Sequence, residues 1–252
     1  MRILTIVLLS ILLLACASAQ DKRDADRIAK SNVELGIGYL RQGKTDAALE
    51  KMQRALKASP DSPDVHSSIA LVYQQMNELE NSKRHYERAL ELQPENGVIH
   101  NNYAALLCRM GKPLEAEPHF LQAIKSRGYH TPAQALENLG ICLFQIPDYE
   151  KAEEYLRQAL QIDPQLPKAL LEMARISLVK ERFMSGRAYL QRFQAVAQMT
   201  PEALWLGIQV ETKLGDKQAV SNYETQLLRK FPDSDQTKQL LDRESGAKAE
   251  LK

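Results

Sequence analysis

An all-α, right-handed superhelical solenoid of about six helix–turn–helix repeats is the fold the sequence predicts, and three observations predict it. Composition comes first: 44% of the 252 residues are hydrophobic and only 6% aromatic. Leucine, alanine, glutamate, glutamine and lysine dominate, which favours helix and disfavours a sandwich or barrel. Second, the chain resembles itself. Starts at Ala29, Pro63, Gly97, Ala133, Pro167 and Thr200 are spaced by 34, 34, 36, 34 and 33 residues. Third, two slots of that period hold only small residues. Gly36, Ala70, Ala104, Gly140, Ala174 and Gly207 stand at position 8, and Ala48, Ser82, Ala116, Ala152, Gly186 and Ala219 at position 20. Two helices approach closely only where a small residue on each lets the backbones meet.

In chain order, residues 1–15 read as a lipoprotein signal peptide. Arg2 precedes an apolar run, Ile3 to Leu14, of 12 residues, short of the ~20 a membrane-spanning helix needs. Two processing sites compete behind it. Leu13-Leu14-Ala15-Cys16 resembles a lipobox with Cys16 as the acylated residue, while Ala17-Ser18-Ala19 offers cleavage before Gln20. Lipidation of Cys16 would anchor the chain to a membrane without spanning it. Ala17 stands where the inner-membrane retention rule of such lipoproteins wants aspartate, so the outer membrane is expected, the body facing the periplasm. Residues 16–28 are read as the lipidated cysteine and a polar tether, 29–232 as the six repeats, and 233–252 as a capping segment around Leu240 and Leu241 with a frayed tail.

Within the repeats, larger side chains fill the remaining slots. Leu35, Ile69, Tyr103, Leu139, Met173 and Leu206 occupy position 7, and Met52, Tyr86, Phe120, Leu156, Leu190 and Tyr223 position 24. Pro60, Pro94 and Pro164 end three repeats at position 32, where the second helix must stop. This pattern resembles the tetratricopeptide repeat over residues 29–232. Repeats five and six depart from it, with Phe193 and Gln226 at position 27, which is alanine in the first four, and Gln198 and Phe231 at position 32. The Ser126–Pro132 connection is two residues longer than the others, with Gly128 in the proline's place.

Several chemistries are excluded or demoted. Thirty-three basic against 32 acidic residues leave no basic field for nucleic acid. Gly38 to Thr45 satisfies the phosphate-loop expression, but a helix and not a strand precedes it, so no nucleotide is expected. His66 and His100 are 34 apart, as are His85 and His119. The repeat accounts for both coincidences, and packing histidines are expected in preference to a metal site. Cys108 and Cys142 fall at positions 12 and 10, on different faces, and read as free thiols, with a disulfide as the alternative. No catalytic set or cofactor motif occurs, so the chain is not expected to be an enzyme.

Function should then lie on the concave face, which the first helix of each repeat lines with positions 2, 5, 6, 9, 12 and 13. In repeats three and four those positions give Asn101, Asn102, Arg109, Glu137, Asn138 and Phe144. Asparagine amides donate and accept, which suits them to hold an extended peptide. Repeats five and six are apolar there, with Leu171, Leu178, Val179, Leu204, Trp205 and Ile208, which points to a docked partner or chain segment.

The lipobox, the six repeats and the blocks Glu34–Leu40, Asn101–Tyr103, Glu137–Gly140, Leu171–Ala174 and Leu204–Ile208 together resemble the PilW (PilF) family of type IV pilus biogenesis lipoproteins. The resemblance implies a pilotin whose partner is the secretin subunit of the pilus, which it helps to reach the outer membrane and assemble into multimers. A lipoprotein scaffolding cell-wall enzymes or an outer-membrane assembly machine is the alternative.

Overall fold

The computed structural model describes the backbone of residues 2–146 and 149–250 and the side chains of residues 20–146 and 149–243. Among them run thirteen helices and no strand. They form two compact units, Met1–Tyr129 and His130–Lys252, and the boundary falls in the lengthened connection between repeats three and four.

In the first unit α1 (Arg2–Arg41) packs with α2 (Thr45–Ala58), α3 (Pro63–Gln75) with α4 (Leu79–Leu92), and α5 (Gly97–Arg109) with α6 (Pro113–Lys125). In the second, α7 (Pro132–Leu143) packs with α8 (Tyr149–Ile162), α9 (Pro167–Val179) with α10 (Phe183–Val196), and α11 (Pro201–Leu214) with α12 (Lys217–Lys230). A last helix, α13 (Asp235–Glu250), lies against α11 and α12. Each pair is one predicted repeat.

The small slots do what their size implies. Ala48, Ala70, Ala104, Ala116, Ala152 and Ala174 are fully buried. The Ser82 hydroxyl donates to the Ala70 carbonyl at 2.8 Å, a bond between positions 20 and 8 that only backbone-close helices allow. A Cβ on Gly140 would stand 2.5 Å from Leu156 Cγ and 3.0 Å from the Ala152 carbonyl, so nothing larger than hydrogen fits. Around these contacts Met52, Tyr86, Phe120 and Leu156 are buried completely.

Position 7 fills the joint with the preceding repeat, as the Tyr103 ring beside Tyr86 shows at 6.0 Å between centroids. Leu35 breaks this expectation and is 51% exposed, because no repeat precedes the first. Turns within repeats reuse one geometry: Gly43, Asn77, Gly111 and Glu181 all adopt positive φ. Helix starts are capped by Ser62, which accepts from Val65 N–H, by Asn96, which accepts from Val98 and Ile99, and by Thr200, which accepts from Ala203. Such caps are typically worth about 1 kcal/mol each.

The structure corrects the sequence reading at both ends. Residues 17–28, read as a tether, are helical, and α1 runs unbroken to Arg41. The segment holds no glycine or proline to stop a helix, and Arg27 pairs with Asp24 one turn away at 3.0 Å. The tail is likewise helical through Glu250, started by Ser234, whose hydroxyl accepts from Thr237 N–H. Cys16 keeps its place in α1, but its side chain lies outside the described residues.

Cys108 and Cys142 are both disulfide-bonded, which overturns the free-thiol reading.

One ionic cluster stiffens the second unit. Glu153, on α8 and almost wholly buried, accepts from Arg182 at 2.6 Å, Lys180 at 3.1 Å and Arg157 at 2.5 Å. Arg182 foremost, against the opposing effect of burial, holds the Glu153 carboxyl down at about 2. Glu211 plays a similar part for Arg187, which also reaches Asp216 at 3.1 Å.

Candidate functional site

The first helices of repeats one to three frame an open cavity of about 860 Å³. Lys30, Val33 and Glu34 of α1, Ser68 and Leu71 of α3, and Asn102 of α5 are among its walls. Counted from each repeat's start, these are positions 2, 5, 6 and 9, the face the helical period assigns to the concave side. Asp26 and Asp64 also line it, so three carboxylates face one ammonium and the cavity is acidic on balance. Asp26 is fixed by the Ser59 hydroxyl, which donates to it at 2.8 Å.

Apolar and polar groups alternate around this space. Val33, Leu71 and Val98 supply the apolar share, and Val98 is 55% exposed. On α5 Asn101 Nδ2 donates to Asn102 Oδ1 at 3.3 Å, while Asn101 Oδ1 is buried with no partner among the described residues. A buried amide oxygen without a donor is costly. The Asn102 amide hydrogens, on the cavity wall, have no acceptor among the described residues. Asn102 therefore presents amide donors to the cavity, which suits the carbonyls of an extended or helical peptide.

The other residues expected to bind have different fates. Arg109 donates to the Gln74 carbonyl at 2.8 Å and to Asn77 Oδ1 at 2.9 Å, so it closes the C-terminal turn of α3. Glu137 is buried, and its Oε1 accepts from Ala169 N–H at 2.8 Å, holding the start of α9. Burial raises its carboxyl pKa. The reading of Glu137 as a wet groove residue is thus corrected: its carboxylate turns to the Ala169 N–H at the start of α9. Asn138 is half-buried in the second unit. Phe144 caps α7 and packs its ring 5.1 Å from Tyr149.

At the apolar end, Leu204 and Ile208 are fully buried and belong to the core. Trp205 is half-buried, with the Arg243 guanidinium of α13 over its ring at 5.8 Å. The chain's own last helix therefore lies over part of the surface expected to dock a partner. Val179 remains exposed at 46%.

The cavity lies on the helical face that the position rule names, chiefly in repeats one and two, with Asn102 of repeat three among its walls. The signal for Lys30, Val33, Ser68 and Leu71 was present in the same position rule, applied to repeats one and two. The asparagines of repeats three and four drew attention because amides are conspicuous, whereas serine and valine are not.

Gln42, Gly43 and Lys44 N–H groups donate to Tyr39 and Leu40 carbonyls, so these three are spent on the turn. The histidines pair within repeats, not between them. His66 Nδ1 lies 3.0 Å from His85 Nδ1, and His100 Nδ1 2.9 Å from His119 Nδ1. Pro60 and Pro94 carbonyls accept from the Nε2 of His66 and His100 at 2.9 and 2.8 Å. Among the described residues no three potential ligands converge on a metal position.

Comparison with known proteins agrees with this architecture. Tetratricopeptide-repeat family models match residues 38–77, 63–96 and 95–165. The chain belongs to the tetratricopeptide-repeat family. It is 28% identical over 235 residues to the type IV pilus assembly protein PilF of Pseudomonas aeruginosa, covering 91% of this chain and 93% of that one. The crystal structure of PilW, a widely conserved type IV pilus biogenesis factor, superposes with a TM-score of 0.81 at 29% identity. That match covers 86% of this chain and 99% of PilW. A structure of Pseudomonas aeruginosa PilF gives 0.77 at 27% identity, over 87% and 99%. The resemblance to this family read from the sequence therefore holds along nearly the whole chain.

Proposed function

We propose that this protein is a type IV pilus biogenesis lipoprotein that binds the pilus secretin subunit and promotes its outer-membrane localisation and multimerisation. The similarity to PilF and PilW supports a role in the pilus. The observation that carries the binding reading is the cavity across α1, α3 and α5, with the amide donors of Asn102 beside apolar Val33, Leu71 and Val98. A segment of the secretin would enter here, its apolar side chains against Leu71 and its backbone against the Asn102 amide. Lipidation at Cys16 would hold the repeats at the outer membrane, facing the periplasm. The protein acts by binding and needs no cofactor.

The double variant Leu71→Glu, Asn102→Ala tests this. Removing the amide typically costs about 1–3 kcal/mol by leaving a partner group unpaired, and a carboxylate on the apolar wall adds to that. Secretin multimers on an unboiled gel should fall at least tenfold while circular dichroism stays unchanged. Undiminished multimers would place secretin binding elsewhere. Mass spectrometry of the mature N-terminus decides the anchor: an acylated Cys16 is expected, and a chain beginning at Gln20 would contradict it.

A further inference from the structure

The departures of repeats five and six from the pattern converge on one place. Position 28 is Leu56, Leu90, Ile124 and Leu160 in the first four repeats, but Gln194 in the fifth. Position 27 is Ala55, Ala89, Ala123 and Ala159 in those repeats, but Gln226 in the sixth. Position 32 is proline in three repeats and Gln198 in the fifth. All three glutamines line a furrow between α10 and α12. It consists of two cavities, about 340 and 510 Å³, that share Gln194 and Gln226 as common walls.

Gln191 and Asn222 complete a set of five amides along it. Gln191, Gln194 and Gln198 recur at i, i+3 and i+7, so one stripe of α10 and the residues just after it faces the stripe of α12 that carries Asn222 and Gln226. Among the described residues the four glutamine side chains make no hydrogen bond within the chain. Asn222 spends only its oxygen, accepting from Gln218 at 3.1 Å. In the other repeats these slots close the crease with alanine and leucine. Here it is open and lined with unspent donors and acceptors.

The electrostatics narrow the ligand. The guanidinium of Arg187 is taken by Glu211 and Asp216, so an anion finds only Lys230 at the far end. The lining, Arg187 and Lys230 against Glu211 and Asp216, is neutral. Tyr223 offers an aromatic edge in the first cavity; Met199 and Phe231 make an apolar patch in the second. Amides on two walls serve hydroxyls that radiate from all edges of a ring, since each amide donates and accepts. An extended peptide wants instead a pocket for every second side chain, and the furrow has one apolar patch only. That patch suits the methyl of an acetamido group.

We propose that this furrow binds an uncharged oligosaccharide of N-acetylated amino sugars, independently of the cavity on α1, α3 and α5. Saturation-transfer NMR on the purified chain, with the tetramer of N-acetylglucosamine as probe, tests it. Transfer should reach the acetamido methyl protons. The double variant Gln194→Leu, Gln226→Ala restores the residues of the earlier repeats, and it should weaken binding at least tenfold, about 1.4 kcal/mol, with circular dichroism unchanged. Should that variant fail to fold, Gln191→Ala with Gln198→Ala carries the same expectation from exposed positions. No transfer at millimolar probe, transfer undiminished in the folded variants, or stronger transfer to an uncharged peptide of similar length would each overturn the assignment.

Discussion

Replacing Glu153 by glutamine keeps the shape of the side chain and removes the charge on which Arg157, Lys180 and Arg182 converge. The carboxyl sits at about 2 against an ordinary value of 4.5, a depression of about 2.5 pH units, each worth 1.36 kcal/mol. That gives roughly 3.4 kcal/mol as an upper bound. Arg182 and Arg157 are 42% and 55% exposed, so water screens them and about 1–2 kcal/mol is the expected net. The sign follows from the direction. A depressed carboxyl stabilises the fold above the unfolded value, and that stability drains away as pH falls from about 4.5 towards 2. Denaturant unfolding of wild type and Glu153→Gln should therefore differ by about 1–2 kcal/mol at pH 7. Less than half of that difference should remain at pH 3. Equal stabilities at pH 7, or a gap that widens in acid, would refute the reasoning.

Other expectations follow from the same geometry. Gly140→Leu drives a branched side chain into Leu156 and the Ala152 carbonyl, so the second unit should lose at least the 1–3 kcal/mol typical of overpacking, read by thermal denaturation. His85 is held at about 4, by burial first and His66 second. NMR titration should show it neutral at pH 5.5. Because its value is lowered, the first unit should lose stability as pH drops from about 6.5 towards 4. Lys44→Ala should leave calorimetry with ATP and Mg²⁺ as flat as wild type, since the neighbouring N–H groups are spent on the turn.

The repeats were legible because a period writes the same constraint several times. Small residues at positions 8 and 20 have no other physical reason, and Ser82 bonded to Ala70 shows what they permit. The candidate site was legible as a helical face but not as a place along the chain. Periodicity says that Ser68 and Asn102 face the same way, yet it cannot say where three helices leave room. Glu137 was misread because its partner, the free N–H of Ala169, comes 32 residues later and has no signature of its own. The bonded state of Cys108 and Cys142 has no signature in the repeat pattern, which gives only the face on which each thiol lies. Helix through residues 17–28 was missed because polarity was taken for flexibility, although nothing in the segment breaks a helix.

The central claim is that the cavity of the first three repeats receives the secretin, and site-specific photocrosslinking tests it most directly. A photoreactive residue at position 33, 71 or 98, in place of Val33, Leu71 or Val98, should capture the secretin subunit, while one at position 184, the exposed Met184 of α10, should not. Capture from position 184 with none from the three cavity positions would contradict the account.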